Sequence, residues 1–168
     1  GETTKALVLA KATRELAPAN PDVAAVAGHL AYQTGDYDWA LSQLQEAARS
    51  KTDDPELLFD LANASYSVGR VADAESAMRS ALQTGQPFAD AGKARRFLEL
   101  NNLAANPAQA VAAIDRVGQI LRTEPTDVPA LMVWGAINEQ KSDPKAAVQA
   151  YEKVLGVFPN FLPAMRRL

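Results

Sequence analysis

The sequence predicts an all-α protein in which pairs of antiparallel helices repeat along the chain. Of its 168 residues, 33 are alanine, which favours helix most strongly and lets helix backbones approach closely. Strands are not predicted, because β-branched residues are scattered and no alternating apolar and polar run of useful length occurs. In addition, a set of residues recurs after 34 positions. These observations favour many small packed helices over one thick core.

The repeat is clearest between the two segments that begin with proline at positions 21 and 55. A proline at the first helical position sacrifices no hydrogen bond, and the preceding Asn20 and Asp54 can cap the two helices. The paired glycines are expected to end these helices in the left-handed conformation that glycine favours. The identical pairs are Pro21 and Pro55, Tyr32 and Tyr66, Gly35 and Gly69, Ala40 and Ala74, Ser42 and Ser76, and Ala47 and Ala81.

Small residues are expected where the two helices of one hairpin touch. Gly28 fills this role in the first helix of one unit, and Ala40 fills it in the second helix. Gly135 and Ala147 occupy corresponding places later in the chain, where Ser142-Asp143-Pro144 replaces the glycine turn. Asp36 and Asp38 lie at the first hairpin turn, where we expect them to cap the second helix.

The spacing divides the chain into a single repeat domain with four complete units and two partial ones. Ala110 lies 36 residues after Ala74 and 37 before Ala147, so the unit at 91–127 is slightly expanded. Gly1 and Ala6 have the spacing of Gly35 and Ala40, so we expect an initial second helix and an excerpt of a longer protein. The predicted units are 1–20 (partial), 21–54, 55–90, 91–127, 128–161 and 162–168 (partial).

A unit of about 34 residues with two helices resembles the tetratricopeptide repeat family. The resemblance implies a right-handed α-solenoid whose first helices line a concave face, typically a surface that binds an extended peptide or a partner helix. The family's favoured aromatic residue in the first helix is replaced here by Ala24 and Leu58. The matching residues are Gly28, Tyr32, Gly35-Asp36-Tyr37-Asp38, Ala40 and Ala47, then Leu61-Ala62-Asn63-Ala64, Tyr66, Gly69, Ala74 and Ala81-Leu82, and finally Gly135, Ala147, Tyr151, Lys153, Leu155 and Pro159-Asn160.

The composition argues against several classes of function. Cysteine is absent and His29 is the single histidine, so thiolate chemistry and multi-histidine metal sites are excluded. The nine glycines are dispersed and form no phosphate loop, and no nucleophile motif surrounds a serine. We expect no cofactor and no catalysis. No apolar run reaches the about 18 residues of a membrane span, and the net charge of −3 argues against nucleic acid as a partner. A bacterial cytoplasm or periplasm is compatible with this composition.

The concave face implied by the resemblance supplies the candidate binding residues. Tyrosine and phenylalanine provide rigid contact area, asparagine can pair with a peptide backbone, and arginine can bind a carboxylate or phosphate through two N–H groups. The predicted binding set is His29, Tyr32, Phe59, Asn63, Tyr66, Arg95, Arg96, Asn102 and Met132.

Each of these residues also has a purely structural interpretation. Tyr32 and Tyr66 would then pack between units, His29 would be a partly buried structural histidine, and the arginines would lie on a solvated face. A chaperone-binding role of the family's carboxylate-clamp type is not predicted, because Phe59 stands where that clamp has a lysine.

The sequence therefore predicts a non-catalytic module that binds a protein or peptide and acts as a scaffold or adaptor. Two alternatives remain open: self-assembly, and a regulatory or substrate-presenting region of a larger enzyme. Charge is distributed unevenly, with 7 basic and 13 acidic residues (−6) in 1–90 and 10 basic and 7 acidic (+3) in 91–168. This difference has two interpretations. It is either a solvated surface whose charge happens to vary along the chain or a groove with an acidic end and a basic end.

Overall fold

The computed structural model describes residues 2–168, which form eleven α-helices and no strand. The predicted all-α class is confirmed. Gly1 lies outside the described residues, and so does the part of the predicted N-terminal spacing that depends on it. The helices are α1 (Glu2–Leu16), α2 (Pro21–Gln33), α3 (Tyr37–Ala48), α4 (Pro55–Ser67), α5 (Val71–Gln83), α6 (Ala91–Ala105), α7 (Pro107–Ala112), α8 (Ile114–Thr123), α9 (Val128–Gln140), α10 (Pro144–Val157) and α11 (Leu162–Met165).

The chain forms two compact units, one ending at Ala94 and the other spanning Arg95–Leu168. In the first unit every helix packs on its neighbour in sequence, from α1 on α2 to α4 on α5. In the second unit, α7 and α8 both pack on α9, and α9 packs on α10. Packing of this kind, between consecutive helices, is what repeated helix hairpins require.

The first helices of the two hairpins in the first unit begin and end as predicted. The Asn20 side chain accepts a hydrogen bond from the N–H two residues later at 2.9 Å, and Asp54 accepts one from the N–H three residues later at 3.1 Å. Gly35 and Gly69 have φ angles of 83° and 80°. A side chain is disfavoured in this left-handed region, which explains glycine at both turns.

Asp36 does not make the predicted capping hydrogen bond. It occupies the N-cap position of α3, but its ψ of 68° departs from the extended backbone of Asn20, whose ψ is 116°. Its carboxylate instead accepts a hydrogen bond from Lys11 Nζ at 3.4 Å. Asp38 lies in the first turn of α3, where a negative charge stabilises the helix dipole.

Small residues bring the paired helices together, as the spacing predicts. A Cβ built on Gly28 would lie 2.5 Å from Leu44 Cγ and 3.1 Å from the backbone oxygen of Ala40. In the second unit, a Cβ built on Gly135 would overlap the ring of Tyr151. These two glycines therefore set how closely α2 approaches α3 and α9 approaches α10.

The second unit departs from the regular pattern at two turns. Ser142 has a φ of 58° where the first unit uses glycine, and Asp143 caps α10 through the Ala146 N–H at 3.1 Å. The helical segment after Pro107 is interrupted at Ala113, which separates α7 from α8.

Candidate functional site

A depression in the first unit lies between α2, α4 and the segment that joins α5 to α6. Its volume is about 280 Å³. We call it the His29 pocket. It is lined by His29 of α2, by Glu56, Phe59 and Asp60 of α4, and by Phe88, Ala89 and Asp90 of the joining segment.

His29 connects α2 to α4 through a hydrogen bond to Asp60. With the ring proton on Nδ1, the imidazole donates to Asp60 Oδ2 at 2.7 Å, and Nε2 accepts from the Gln33 side-chain amide at 2.7 Å. We assign this tautomer from the two partners. The His29 side chain is 48% exposed and that of Asp60 is 28% exposed. The histidine is thus a surface residue with a fixed ring orientation, rather than a core residue.

The carboxylates of the pocket influence one another. Burial raises the pKa of the Asp60 carboxyl above its usual range, and the hydrogen bond from His29 opposes that rise. The negative charges of Asp90 and Glu56 raise the Asp60 pKa further. The pocket therefore concentrates negative charge around a partly buried acid.

Two phenylalanine rings form the apolar wall of the pocket. The ring centroids of Phe59 and Phe88 are 6.0 Å apart with an interplanar angle of 52°. This tilted arrangement is a favourable one for an aromatic pair. Both side chains are half-buried, so part of each ring faces solvent.

Asn63 lies one helical turn beyond Phe59 on the same face of α4. It is half-buried, and its amide has no hydrogen-bond partner among residues 2–168. Since an amide has both donors and acceptors, Asn63 can pair with a peptide backbone that lies over α4.

The two repeated tyrosines occupy different environments. Tyr32 is half-buried, and its ring centroid is 5.5 Å from that of Tyr37. Burial, with smaller contributions from Tyr37 and Asp60, raises the Tyr32 pKa to about 12. Tyr66 is only 4% exposed. The structure therefore favours the packing interpretation for Tyr66 and leaves part of Tyr32 accessible.

The other predicted binding residues belong to the second unit. Arg96 donates to both carboxylate oxygens of Glu124 at 2.8 and 2.6 Å and to Asp127 at 3.2 Å. Arg96 thus makes with Glu124 the bidentate contact that was expected with a ligand. Asn102 is exposed and accepts from the Asn106 side chain at 2.7 Å. Arg95 is exposed, and Met132 is half-buried.

Among residues 2–168, no group of three or more histidine, aspartate or glutamate side chains is arranged so that it could hold a metal ion. Within the same range, no helix is long and apolar enough to cross a membrane.

Comparison with known proteins identifies the repeat. A family model described as Tetratricopeptide repeat matches residues 26–92, which extend from α2 to the start of α6. The whole fold is similar to the crystal structure of YrrB, described as a tetratricopeptide repeat protein with an unusual peptide-binding site. The TM-score is 0.52 at 18% identity, over 98% of this chain and 82% of YrrB. The segment 26–92 therefore matches the tetratricopeptide repeat family, and the similarity to YrrB shows that the chain has the fold of such proteins.

A second solved structure with the same fold is the tetratricopeptide repeat domain of P58(IPK). The TM-score is 0.53 at 16% identity, and the match covers 99% of this chain and 61% of that one. No curated protein matches the sequence significantly. Tetratricopeptide repeat proteins are generally non-catalytic modules for protein–protein interaction, and this α-solenoid shares their fold.

Phe88 and Asp90 were not among the predicted binding residues. The prediction considered first helices only, and both residues lie in the segment between α5 and α6. Phe88 and Asp90 occupy none of the first-helix positions that the family resemblance marks as binding positions, so the resemblance gave no signal for them.

Proposed function

We propose that this chain is a non-catalytic scaffold or adaptor that binds an extended peptide over α2 and α4 of its first unit. The His29 pocket is the observation that carries this proposal. It combines an aromatic wall, charged groups and a fixed imidazole on the exposed sides of two first helices. Apolar walls with a few oriented polar groups are typical of binding sites.

Asn63 extends this surface along α4. Its half-buried amide without a protein partner is suited to a backbone N–H or C=O of a ligand. The unusual peptide-binding site described for YrrB, which has the same fold, adds support.

Replacement of Asn63 tests the proposal. Peptides selected on the immobilised chain from a random twelve-residue display library should bind Asn63→Ala at least about fivefold more weakly, since one good hydrogen bond contributes about 1 kcal/mol. Binding is measured by fluorescence anisotropy, and circular dichroism verifies that helix content is unchanged.

Gln83→Ala is the matched control, because Gln83 is an exposed amide on α5 outside the pocket. It should leave peptide affinity unchanged. A library without binders, or binders that are insensitive to Asn63→Ala, would contradict the proposal.

Self-association is a second candidate, and one observation favours it. An apolar groove of about 440 Å³ runs between α1 and α2, lined by Ala6, Leu9, Ala10, Thr13, Asp22, Val23, Val26 and Leu30. Leu9 is 68% exposed and Val26 is 57% exposed. Large exposed aliphatic side chains in one groove are characteristic of an interface, and a second copy of the chain is the occupant we propose.

Sedimentation velocity at increasing protein concentration tests self-association. The average mass of the unmodified chain should rise with concentration, whereas Val26→Asp should remain monomeric because it places a charge in the apolar contact. Val111→Asp, at a partly exposed valine in the second unit, should behave like the unmodified chain. A monomeric mass for the unmodified chain at all concentrations would refute this candidate.

A further inference from the structure

The shape of the His29 pocket limits what it can hold. Its volume of about 280 Å³ is close to the lower end of the range for small-molecule sites, about 300 Å³. This space is sufficient for one amino-acid side chain. The pocket lies between two first helices and the Phe88–Asp90 segment, and Asn63 follows Phe59 by one helical turn on α4.

The charge of the pocket indicates the sign of that side chain. Three of its seven lining residues are acidic, Glu56, Asp60 and Asp90, and no lysine or arginine lines it. The nearby Lys93 pairs with Asp90 at 2.7 Å, but its side chain is 67% exposed and it is not part of the lining. Glu56 and Asp90 both raise the Asp60 pKa, so both carboxylates repel that of Asp60. A cation among them would relieve this repulsion.

The aromatic wall adds a second feature that suits a cation. Phe59 and Phe88 both line the pocket, so a group between them and the carboxylates contacts aromatic rings. The faces of aromatic rings attract ammonium and guanidinium groups. The same rings provide apolar surface for the methylene stem of a lysine or arginine.

We infer that the His29 pocket receives a lysine or arginine side chain of the bound peptide. The inference rests on the proposed function and specifies its ligand class. The charged head lies among Glu56, Asp60 and Asp90, and the aliphatic stem lies against Phe59 and Phe88. His29 holds the Asp60 carboxylate in place through their 2.7 Å hydrogen bond.

The single histidine makes the test site-specific. In a ¹H–¹³C spectrum the His29 ring gives one Cε1–H signal, which reports on the pocket directly. The probes are four blocked pentapeptides, Gly-Gly-X-Gly-Gly, with X as arginine, lysine, norleucine or glutamate. The arginine and lysine peptides should shift the signal and bind at least about tenfold more tightly than the norleucine peptide, a factor equal to 1.4 kcal/mol. Added salt should weaken this preference.

Variants of the pocket complete the test. Glu56→Gln and Asp90→Asn together should weaken the arginine peptide by about tenfold and leave the norleucine peptide unaffected. Glu56 is exposed, so Glu56→Gln alone provides a variant that does not disturb the core. Asp73→Asn, at an exposed acid on α5 outside the pocket, is the control and should change no affinity.

Equal signal shifts and equal affinities for the norleucine and arginine peptides would overturn the inference. It would also be overturned if none of the four peptides changed the position of the His29 signal. Library-selected peptides that depend on Asn63 would then still support peptide binding, so the two failures are distinguishable. An arginine preference that survives Glu56→Gln with Asp90→Asn would place the cation elsewhere and would also overturn the inference.

Discussion

The hydroxyl group of Tyr32 is the ionisable group of the first unit that folding perturbs most clearly. Its pKa rises to about 12, mainly because the ring is buried, while Tyr37 and Asp60 add unfavourable interactions with the phenolate. The folded state therefore holds the Tyr32 proton more tightly than the unfolded state, whose tyrosine pKa is about 10. The resulting stabilisation is fully present below pH 10 and is lost as the pH rises through 12.

Tyr32→Phe should flatten the alkaline part of the stability curve. The free energy of unfolding of the unmodified chain should fall between pH 10 and 12 by roughly 1–2 kcal/mol more than that of the variant. Urea unfolding at pH 9, 10, 11 and 12 measures this difference. Parallel curves for the two proteins would show that Tyr32 ionises equally in both states, contrary to this expectation.

Two of the predicted binding residues, His29 and Phe59, line the His29 pocket, whereas Tyr66 is buried. His29, Phe59 and Asn63 were predicted because the family resemblance implies that first helices line the concave face. Tyr32 and Tyr66 occupy equivalent repeat positions, yet Tyr66 is 4% exposed and Tyr32 is half-buried. Periodicity specifies the direction of a side chain, whereas its burial depends on the neighbouring helices.

Arg96 illustrates a second limit at the residue scale. Its partner Glu124 is 28 residues away, and Glu124 and Asp127 flank the turn before α9. No local sequence pattern indicates an ion pair between residues so far apart in the chain. The same guanidinium was therefore predicted to face a ligand.

Helix pairs in this protein are held at short distance by glycine and alanine. In the α2–α3 pair, the Cβ missing from Gly28 would meet Leu44 close to its branch point and the backbone oxygen of Ala40. Neither atom is the free end of a flexible side chain, so the two helices would have to separate. Such separation would weaken the cluster formed by Ala24, Ala31, Ala40, Leu41, Leu44, Ala47, Leu57 and Ala64.

Gly28→Ala should destabilise the chain by about 1–2 kcal/mol. Overpacking costs about 1–3 kcal/mol, and it exceeds the gain of up to about 1 kcal/mol that alanine brings to a helix interior. Urea unfolding monitored by circular dichroism gives the difference in free energy.

Gly118→Ala is the matched control on α8. The nearest atom to its added Cβ is in the Trp134 ring at 3.7 Å, an ordinary contact. Only the helix-propensity gain then applies, and stability should rise by about 0.5–1 kcal/mol. Equal stability changes for the two variants would refute the explanation that close approach requires glycine at position 28.

The starts of α2 and α4 were predictable because a cap depends on local sequence. Asn20 and Asp54 cap their helices through hydrogen bonds to N–H groups two or three residues away. Asp36 has the right residue type, but the turn after Gly35 gives it a different backbone conformation. Residue type alone therefore did not determine capping at this hairpin.

At the scale of the whole molecule, the repeat predicted the all-helical fold and the tetratricopeptide repeat family. It did not predict that the chain forms two compact units that divide between Ala94 and Arg95. The spacing from Ala74 to Ala147 is nearly regular, so nothing in the repeat marks this position. Compactness depends on which helices contact each other, whereas the repeat describes each hairpin separately.

The two tryptophans lie in different compact units. Trp39 packs against the core of the first unit, with the Lys11 ammonium 4.7 Å from its ring centroid. Trp134 packs against the core of the second unit. Intrinsic fluorescence therefore provides an optical reporter for each unit, and the single-tryptophan variants Trp39→Phe and Trp134→Phe allow the melting of each unit to be followed separately.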